Sequence, residues 1–417
     1  MRGPSVKVAL SAAAVAASVL ALTTGGAASA APGQQAASGG APIKIALITS
    51  ETGVAGQQFH STPQGFLARV DLQNARGGIH GHKIDPIVLN DQSSLTLVQT
   101  DVQQAISEGA LGIVSVSPFF FAAYRIPQQD GIPVTGGFFD GPEWGTQPNT
   151  NMFAADVGSV NPKYPVNTAI GAFLKAHGAT VVGAYGYSIS PSSTRSAIGT
   201  ADSAEHAGLQ VGVLDTTITF GSENFTTIAL DAKQKGVNGV FAGMDNNSNF
   251  ALMTALLQAG VKPKAVVFPT GYQPSVVHSP AWSSLQGVYF STGFRPFTLP
   301  DAGTRTMAAA LEKYAHRSTF PSYNVYEGWL GATLMIEGIG KAGNNPTHAS
   351  VIKALRSIKS YNGGGLLPES IDYSTIFGHD LPKQCGWYMR AEKNGFVATS
   401  KKPFCGTDIP GTTTVSG

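Results

Sequence analysis

Short apolar runs alternate with helical patterns along most of this chain, and that alternation is what most constrains its fold. In the first part, the pattern predicts strands at 43–49, 84–89, 111–116 and 132–135, separated by helices at 63–74, 95–107 and 122–129. Short β-branched strands joined through helices of 10–15 residues are typical of parallel βαβ units. We therefore predict an α/β fold with parallel sheets.

The alternation restarts after a stretch rich in Pro, Gly and Asn at 141–162. Helices are predicted at 164–177, 192–207, 225–235 and 249–259, and strands at 180–184, 211–217, 240–242, 265–268 and 287–291. Three further helices follow at 303–316, 323–341 and 347–358. The sequence thus predicts two successive α/β units of similar size.

The first 30 residues have the composition of an export signal. Arg2 and Lys7 form a positive start, an apolar run of Ala, Val and Leu covers 8–22, and small residues at 28–30 suit cleavage after Ala30. The alternative is a membrane anchor, but 15 apolar residues are fewer than the ~20 that span a bilayer. We expect a secreted or periplasmic protein with a signal peptide at 1–30 and a flexible leader at 31–41.

Charge is scarce: 12% of the residues are charged. Without Arg2 and Lys7, the 27 basic residues become 25, equal to the 25 acidic ones. Nucleic-acid binders carry a basic surface and disordered proteins a high net charge, so both classes are excluded.

The two cysteines, Cys385 and Cys405, stand near the end of the chain. In an oxidising compartment, an even count predicts one disulfide, and a metal site is the weaker alternative. Between them, 386–390 and 396–399 read as two strands of a hairpin turning at Asn394-Gly395. The first cysteine lies far from the signal, so no lipid anchor is predicted.

The run at 74–84, NARGGIHGHKI, resembles an early segment of extracytoplasmic solute-binding proteins of ABC importers, of the leucine/isoleucine/valine-binding type. Thr52-Gly53, the loop at Ser117 and 131–134 also stand where that family has similar residues. The resemblance implies two Rossmann-like lobes, joined by a three-crossover hinge and ending in a C-terminal β-hairpin. Lobe 1 would comprise 42–157 plus 290–370, and lobe 2 would comprise 158–289 plus 371–417.

The resemblance also implies a ligand site between the lobes. Ser117 matches the family's carboxylate-binding serine, although an ordinary loop serine is the alternative reading. Phe138 and Asp140 replace a small residue and a threonine, and Asp245, with its neighbour Asn246, replaces a pocket tyrosine. Near Thr270 the amino-acid binders have a glutamate that receives the ligand's ammonium, and this chain has the threonine instead. An unpaired buried ammonium is costly, so these replacements argue against an amino-acid ligand.

Aromatic residues cluster at the predicted strand ends instead. The set comprises Phe119–Phe121, Phe138, Phe139, Trp144, Tyr185, Tyr187 and Tyr272. Since three consecutive phenylalanines cannot all face one cleft, part of this set is expected in the core. The remainder predicts a ligand larger and more apolar than leucine, such as an aromatic or ring-containing molecule.

Three functions are compatible with these patterns. The first is a monomeric solute-binding protein that delivers a small molecule to the membrane permease of an ABC importer. The second is a ligand sensor of the same fold that docks on a membrane receptor, and the third is a secreted α/β enzyme. The short sequence motifs of hydrolases, zinc proteases and nucleotide-binding enzymes are absent from the chain, so no catalysis, cofactor or metal is expected.

Overall fold

The structure is a computed structural model, and it describes residues 40–137, 144, 150–156, 165–375 and 385–412. The first sheet has five parallel strands in the order β2-β1-β3-β4-β5. These strands are β1 (Ile43–Thr49), β2 (Ile84–Asn90), β3 (Gly112–Val116), β4 (Val134–Gly136) and β5 (Met152–Ala154). The helices among them are α1 (Gly56–Phe59), α2 (Thr62–Ala75), α3 (Leu97–Ser107) and α4 (Arg125–Gln129), with a 3₁₀ turn at Phe120–Ala122.

The second sheet has eight strands, and its parallel part runs β8-β7-β9-β10-β11. Its parallel strands are β7 (Val181–Tyr187), β8 (Gln210–Ile218), β9 (Gly239–Gly243), β10 (Ala265–Phe268) and β11 (Tyr289–Thr292). The helices of this part are α5 (Ala169–Ala176), α6 (Pro191–His206), α7 (Thr226–Gln234), α8 (Asn246–Gln258) and α9 (Pro274–Val277), with a 3₁₀ turn at Pro280–Ser283.

The final hairpin extends the second sheet. It consists of β12 (Cys385–Glu392), which is antiparallel to β11, then β13 (Gly395–Ala398) and β14 (Phe404–Cys405), which both pair with β12. Two short strands, β6 (Val166–Asn167) and β15 (Asp408–Ile409), pair with each other. The sequence predicted the turn at Asn394-Gly395, which is wrong by one residue: Glu392 pairs with Gly395, so Lys393 and Asn394 form the turn. Gly395 has φ +135°, a conformation that glycine alone adopts readily.

Three helices that lie between β11 and β12 in the chain cover the first sheet. They are α10 (Ala302–Ala315), α11 (Tyr323–Lys341) and α12 (His348–Arg356). Helix α11 packs on α2, β3 and β4, while α10 packs on α2 and α12 packs on α11. One continuous cluster of buried apolar side chains includes residues of both sheets. Within the described residues, no helix is both long enough and apolar enough to cross a membrane.

Two predicted helices are shorter than expected. The helix predicted at 164–177 covers only 169–176, because Val166 and Asn167 pair with the end of the chain. The helix predicted at 122–129 begins as a 3₁₀ turn and becomes α-helical only at Arg125, where Pro127 fits within the first turn. The predicted bridge between Cys385 and Cys405 is confirmed, with their Cα atoms 4.1 Å apart.

Candidate functional site

The two sheets each have a point where the strand order reverses, between β1 and β3 in one and between β7 and β9 in the other. Ligands of open α/β sheets bind beyond the carboxyl ends of the strands at such points. Ser117 follows β3, Tyr187 ends β7 and Asp245 follows β9. Topology therefore places these three predicted site residues at the expected edges of the two sheets.

The Ser117 side chain is engaged by the protein itself. Its hydroxyl donates a hydrogen bond to the fully buried carboxylate of Asp91 and accepts one from the backbone N–H of Phe119 at 3.1 Å. Asp91 also accepts from the Ser50 hydroxyl at 2.5 Å and from the backbone N–H of Ser93 at 2.8 Å. In this structure the Ser117 proton therefore goes to Asp91, and a ligand carboxylate placed there would face that acidic group.

Asp91 was missed from the sequence, although the signal was present. Asn90-Asp91 directly follows a predicted strand, the same position in the βα unit that drew attention to Ser117. Polar side chains at the carboxyl ends of parallel strands meet at one edge of the sheet. Applying that rule to every strand end would have identified this carboxylate.

Tyr187 and Asp245 form a second internal pair. The Tyr187 hydroxyl donates to Asp245, whose carboxylate also caps α8 by accepting from the backbone N–H groups of Asn247 at 2.8 Å and Ser248 at 3.2 Å. Burial, followed by the charge of Asp245, raises the pKa of Tyr187 well above its usual range. The tyrosine is thus a neutral, oriented ring rather than an ionisable group.

Thr270 is held at the junction of β9 and α8. Its hydroxyl donates to the carbonyl oxygen of Met244 at 2.8 Å and accepts from the side-chain amide of Asn249 at 3.0 Å. Asn246, the first residue of α8, is fully buried, and neither atom of its amide has a hydrogen-bond partner in the described protein. A buried amide of this kind is a group that a bound solute can pair with.

An aromatic contact joins the two lobes. Phe119, which follows β3, lies edge-on to Phe220, which follows β8, with 5.4 Å between ring centroids. The Phe220 ring lies 4.7 Å from that of Tyr187. Beside it, Val54 of the loop after β1 approaches Gly221. An apolar surface contributed by both lobes therefore stands where a ligand would be enclosed.

The other predicted aromatic residues occupy different environments. Tyr185 is completely buried, and Phe120 packs against the buried ring of Trp144 with centroids 6.3 Å apart. Tyr272 stacks on Phe320 at 5.0 Å, in the segment that precedes α11. Phe138, Phe139 and Asp140 lie outside the described residues.

A buried pair of carboxyl groups was not predicted. Asp156, just beyond β5, interacts with Glu327 in the first turns of α11, and both are buried. Burial raises the pKa of Asp156 to about 7, and burial together with the Asp156 charge raises that of Glu327 well above its usual range. Because burial and the neighbouring negative charge both oppose ionisation, this pair is stable when it holds at least one proton. Asp156 follows β5, a strand that the sequence did not predict, and so this pair was missed.

A family model described as periplasmic binding protein matches residues 42–395. A comparison with functionally characterised protein sequences finds no match.

Several solved structures have a similar fold. A fatty acid ABC transporter substrate-binding protein from Thermomonospora curvata has a TM-score of 0.73 at 16% identity, covering 88% of this chain and 93% of that chain. The branched-chain amino acid transporter substrate-binding protein LivJ from Streptococcus pneumoniae, in complex with isoleucine, has a TM-score of 0.70 at 16% identity, covering 87% and 99%. An ABC transporter solute-binding protein from R. palustris, in complex with benzoate, has a TM-score of 0.68 at 16% identity, covering 88% and 98%. At these identities the likeness shows the fold, and the predicted two-lobed α/β class is confirmed.

Proposed function

This chain belongs to the periplasmic binding protein family, and from that premise we propose that it captures a small apolar solute between its lobes and delivers it to an ABC permease. Members of this family bind solutes outside the cytoplasm, and the position of the described site residues after the carboxyl ends of strands in both sheets supports such a role here. The proposed ligand is larger and more apolar than leucine, and aromatic or ring-containing.

The observation that carries this proposal is the Phe119–Phe220–Tyr187 contact. These rings come from both lobes and touch one another, so together they form one aromatic wall against which an enclosed ligand would pack. Aromatic side chains bury large apolar areas and favour stacked or edge-on partners, which a flat or ring-containing ligand supplies.

The polar groups support the same ligand class. Thr270 stands in place of the glutamate that binds the ligand's ammonium in amino-acid binders, and its hydroxyl carries no charge and is already bonded to Met244 and Asn249. The Asp245 carboxylate is committed to Tyr187 and to the start of α8. An α-amino group therefore has no free anion among these residues, and burying it unpaired would cost several kcal/mol.

Two of the similar structures are consistent with this choice. One is named as a fatty acid transporter component and another contains benzoate. Both ligands combine an apolar body with a single acidic group and carry no ammonium. We therefore expect a neutral ring compound, or an apolar acid whose carboxylate lies away from Asp91, before any α-amino acid.

A ligand panel tests the proposal. Thermal shift and calorimetry would compare leucine, isoleucine and valine with benzoate, phenylacetate and a medium-chain fatty acid. Saturation at 100 times Kd stabilises the folded protein by about 2.7 kcal/mol, which raises Tm measurably. We expect one or more apolar acids to do so, while the branched-chain amino acids leave Tm unchanged.

Phe220→Ala serves as the site variant for this panel and Phe404→Ala as its control. Both phenylalanines are partly exposed, but Phe404 packs beside the disulfide against Phe173 and Tyr388. The site variant should lose affinity at least about tenfold and the control should keep it, because truncation of a central aromatic residue removes ~1–3 kcal/mol of binding. Tight leucine binding without any response to apolar acids would contradict the proposed ligand class.

A further inference from the structure

A groove of about 550 Å³ lies between α2 and α10. On α2 it is lined by Leu72 and Arg76, which stand at the carboxyl end of that helix. In a parallel βαβ unit the helix returns to the amino ends of the strands, so this end of α2 is opposite to the cleft. The groove is therefore a separate surface from the ligand site.

The lining of the groove combines apolar and basic side chains. The α10 side is formed by Ala302, Arg305, Thr306, Ala309, Ala310, Lys313 and Tyr314. Their spacing of three and four residues places them on one face of the helix, over a length of about 18 Å. The apolar members form a floor, and the cations Arg76, Arg305 and Lys313 are exposed around it.

In the part of the chain that the structure describes, no acidic side chain forms an ion pair with these three cations. The groove has no acidic lining residue among those described. Asp301, just before α10, is already bound to Arg295 at 2.9 Å and to the backbone N–H of Thr304 at 2.9 Å. In a charge-poor chain, three unpaired cations around one groove form a concentrated positive surface.

We propose that this groove docks an acidic helical segment of a partner protein. The groove is elongated and its floor is apolar, so an amphipathic helix can place small apolar side chains on the floor and carboxylates beside the three cations. A membrane surface fits less well, because a flat bilayer cannot fill a groove and lipid recognition ordinarily uses clusters of four to eight basic residues. This surface goes beyond the cleft function and does not depend on the cleft ligand.

Fluorescence anisotropy with the ligand-free protein tests the groove. The probe is a labelled helical peptide of about 18 residues made of alanine, leucine and glutamate, with the glutamates spaced four apart, and its glutamine analogue is the uncharged comparison. The acidic peptide should bind, more tightly at low than at high salt, and the glutamine peptide should not. Vesicles of phosphatidylglycerol replace the peptide in a parallel titration.

Three variants test whether the peptide binds in the groove itself. Arg76→Gln/Arg305→Gln/Lys313→Gln should weaken peptide binding about tenfold or more, because three exposed ion pairs are lost. Ala309→Trp keeps the charge, fills the groove from an exposed position and should abolish binding. Lys262→Gln/Lys264→Gln/Lys401→Gln makes the same change in net charge at exposed positions elsewhere and should bind normally.

The proposal is overturned if the acidic peptide does not bind, or if both groove variants bind it as well as the control. It is equally overturned if only the vesicles bind and the triple groove variant releases them, since the surface would then recognise lipid. Because the groove is separate from the cleft, every variant should still bind its solute in the cleft. Failure of the peptide experiment therefore leaves the proposed solute function unaffected.

Discussion

Single residues at the cleft are largely committed to one another. Ser117 donates to Asp91, Tyr187 donates to Asp245, and Thr270 donates to a backbone carbonyl. Hydrogen bonds to charged partners are among the stronger ones, so these side chains are held in place. The polar residues at the site thus set its shape, and in the proposed function the aromatic rings contact the ligand.

The carboxyl pair Asp156–Glu327 links stability to pH. An aspartate in the unfolded chain ionises near 3.8, whereas the folded protein raises the pKa of Asp156 to about 7. The folded state therefore binds the proton more tightly, and its contribution to stability is complete below the unfolded pKa. That contribution is lost as pH rises through the folded value, because burial disfavours a second negative charge.

Glu327→Gln should flatten this dependence. Glutamine cannot ionise and still offers an N–H donor to Asp156, so the free energy of unfolding should fall less between about pH 5 and about pH 8 than in the wild type. The expected difference is on the order of a few kcal/mol, at about 1.4 kcal/mol for each unit of pKa shift. Urea denaturation at the two pH values measures it.

Glu337→Gln, farther along the same helix and paired with Lys341, is the matched control and should retain the wild-type slope. The other acids whose pKa values are raised are present in the wild type and in both variants, so they do not affect this comparison. An unchanged slope in Glu327→Gln would show that the pair does not hold the extra proton.

At the scale of elements, glycines decide how closely α2 and α11 pack. A Cβ atom added to Gly65 of α2 would lie 1.8 Å from the carbonyl oxygen of Val325 in α11. Backbone atoms cannot give way as a flexible side chain can, so the two helices would have to separate. By contrast, a Cβ at Gly340, near the end of α11, meets no atom within 4 Å.

The two alanine substitutions should therefore have opposite effects. Gly65→Ala should destabilise the protein by ~1–3 kcal/mol through overpacking. Gly340→Ala should stabilise it by ~0.5–1 kcal/mol, because alanine loses less entropy in a helix. Chemical denaturation of both variants provides the comparison, and equal effects of the same sign would contradict the packing argument.

Element boundaries show where local pattern suffices. The predicted strand at 265–268 coincides with β10, and most other strands agree within two residues. The errors fall where tertiary contacts decide, as at Asn167, whose strand pairing with Asp408 replaces the predicted start of α5. The disulfide could be predicted from the cysteine count and the expected compartment. A bridge that closes a loop of this size stabilises the folded protein by roughly 3 kcal/mol.

At the scale of the whole molecule, the proposed function depends on the contact between the lobes. Besides the aromatic rings, Val54 of the first lobe reaches Gly221 of the second, with its Cβ 3.9 Å from the position that a Cβ of residue 221 would take. Disulfides join residues whose Cβ atoms lie ~3.5–4.5 Å apart, so this pair suits an engineered crosslink.

Val54→Cys/Gly221→Cys should lock the lobes together. Gly221 has φ +75°, so the cysteine costs roughly 1–2 kcal/mol but is tolerated in an exposed loop. On oxidation the double variant should migrate faster on a non-reducing gel and release bound ligand at least about tenfold more slowly, since release requires the lobes to separate. Each single variant should release ligand at the wild-type rate, and a crosslinked protein that does the same would contradict a hinged cleft.

The sequence by itself determined the α/β class, the order of most elements, the cysteine bridge and the family resemblance, because periodicity, turn residues and cysteine count act locally. Only the tertiary structure decided that Ser117 donates a hydrogen bond to Asp91. It also decided that Asp156 lies beside Glu327 and that the Phe119 ring contacts Phe220 of the other lobe. Each of these contacts joins residues far apart in the chain, and no local pattern encodes which distant side chain a residue will meet. The groove between α2 and α10 has the same origin, since its three cations become one surface only when the helices pack.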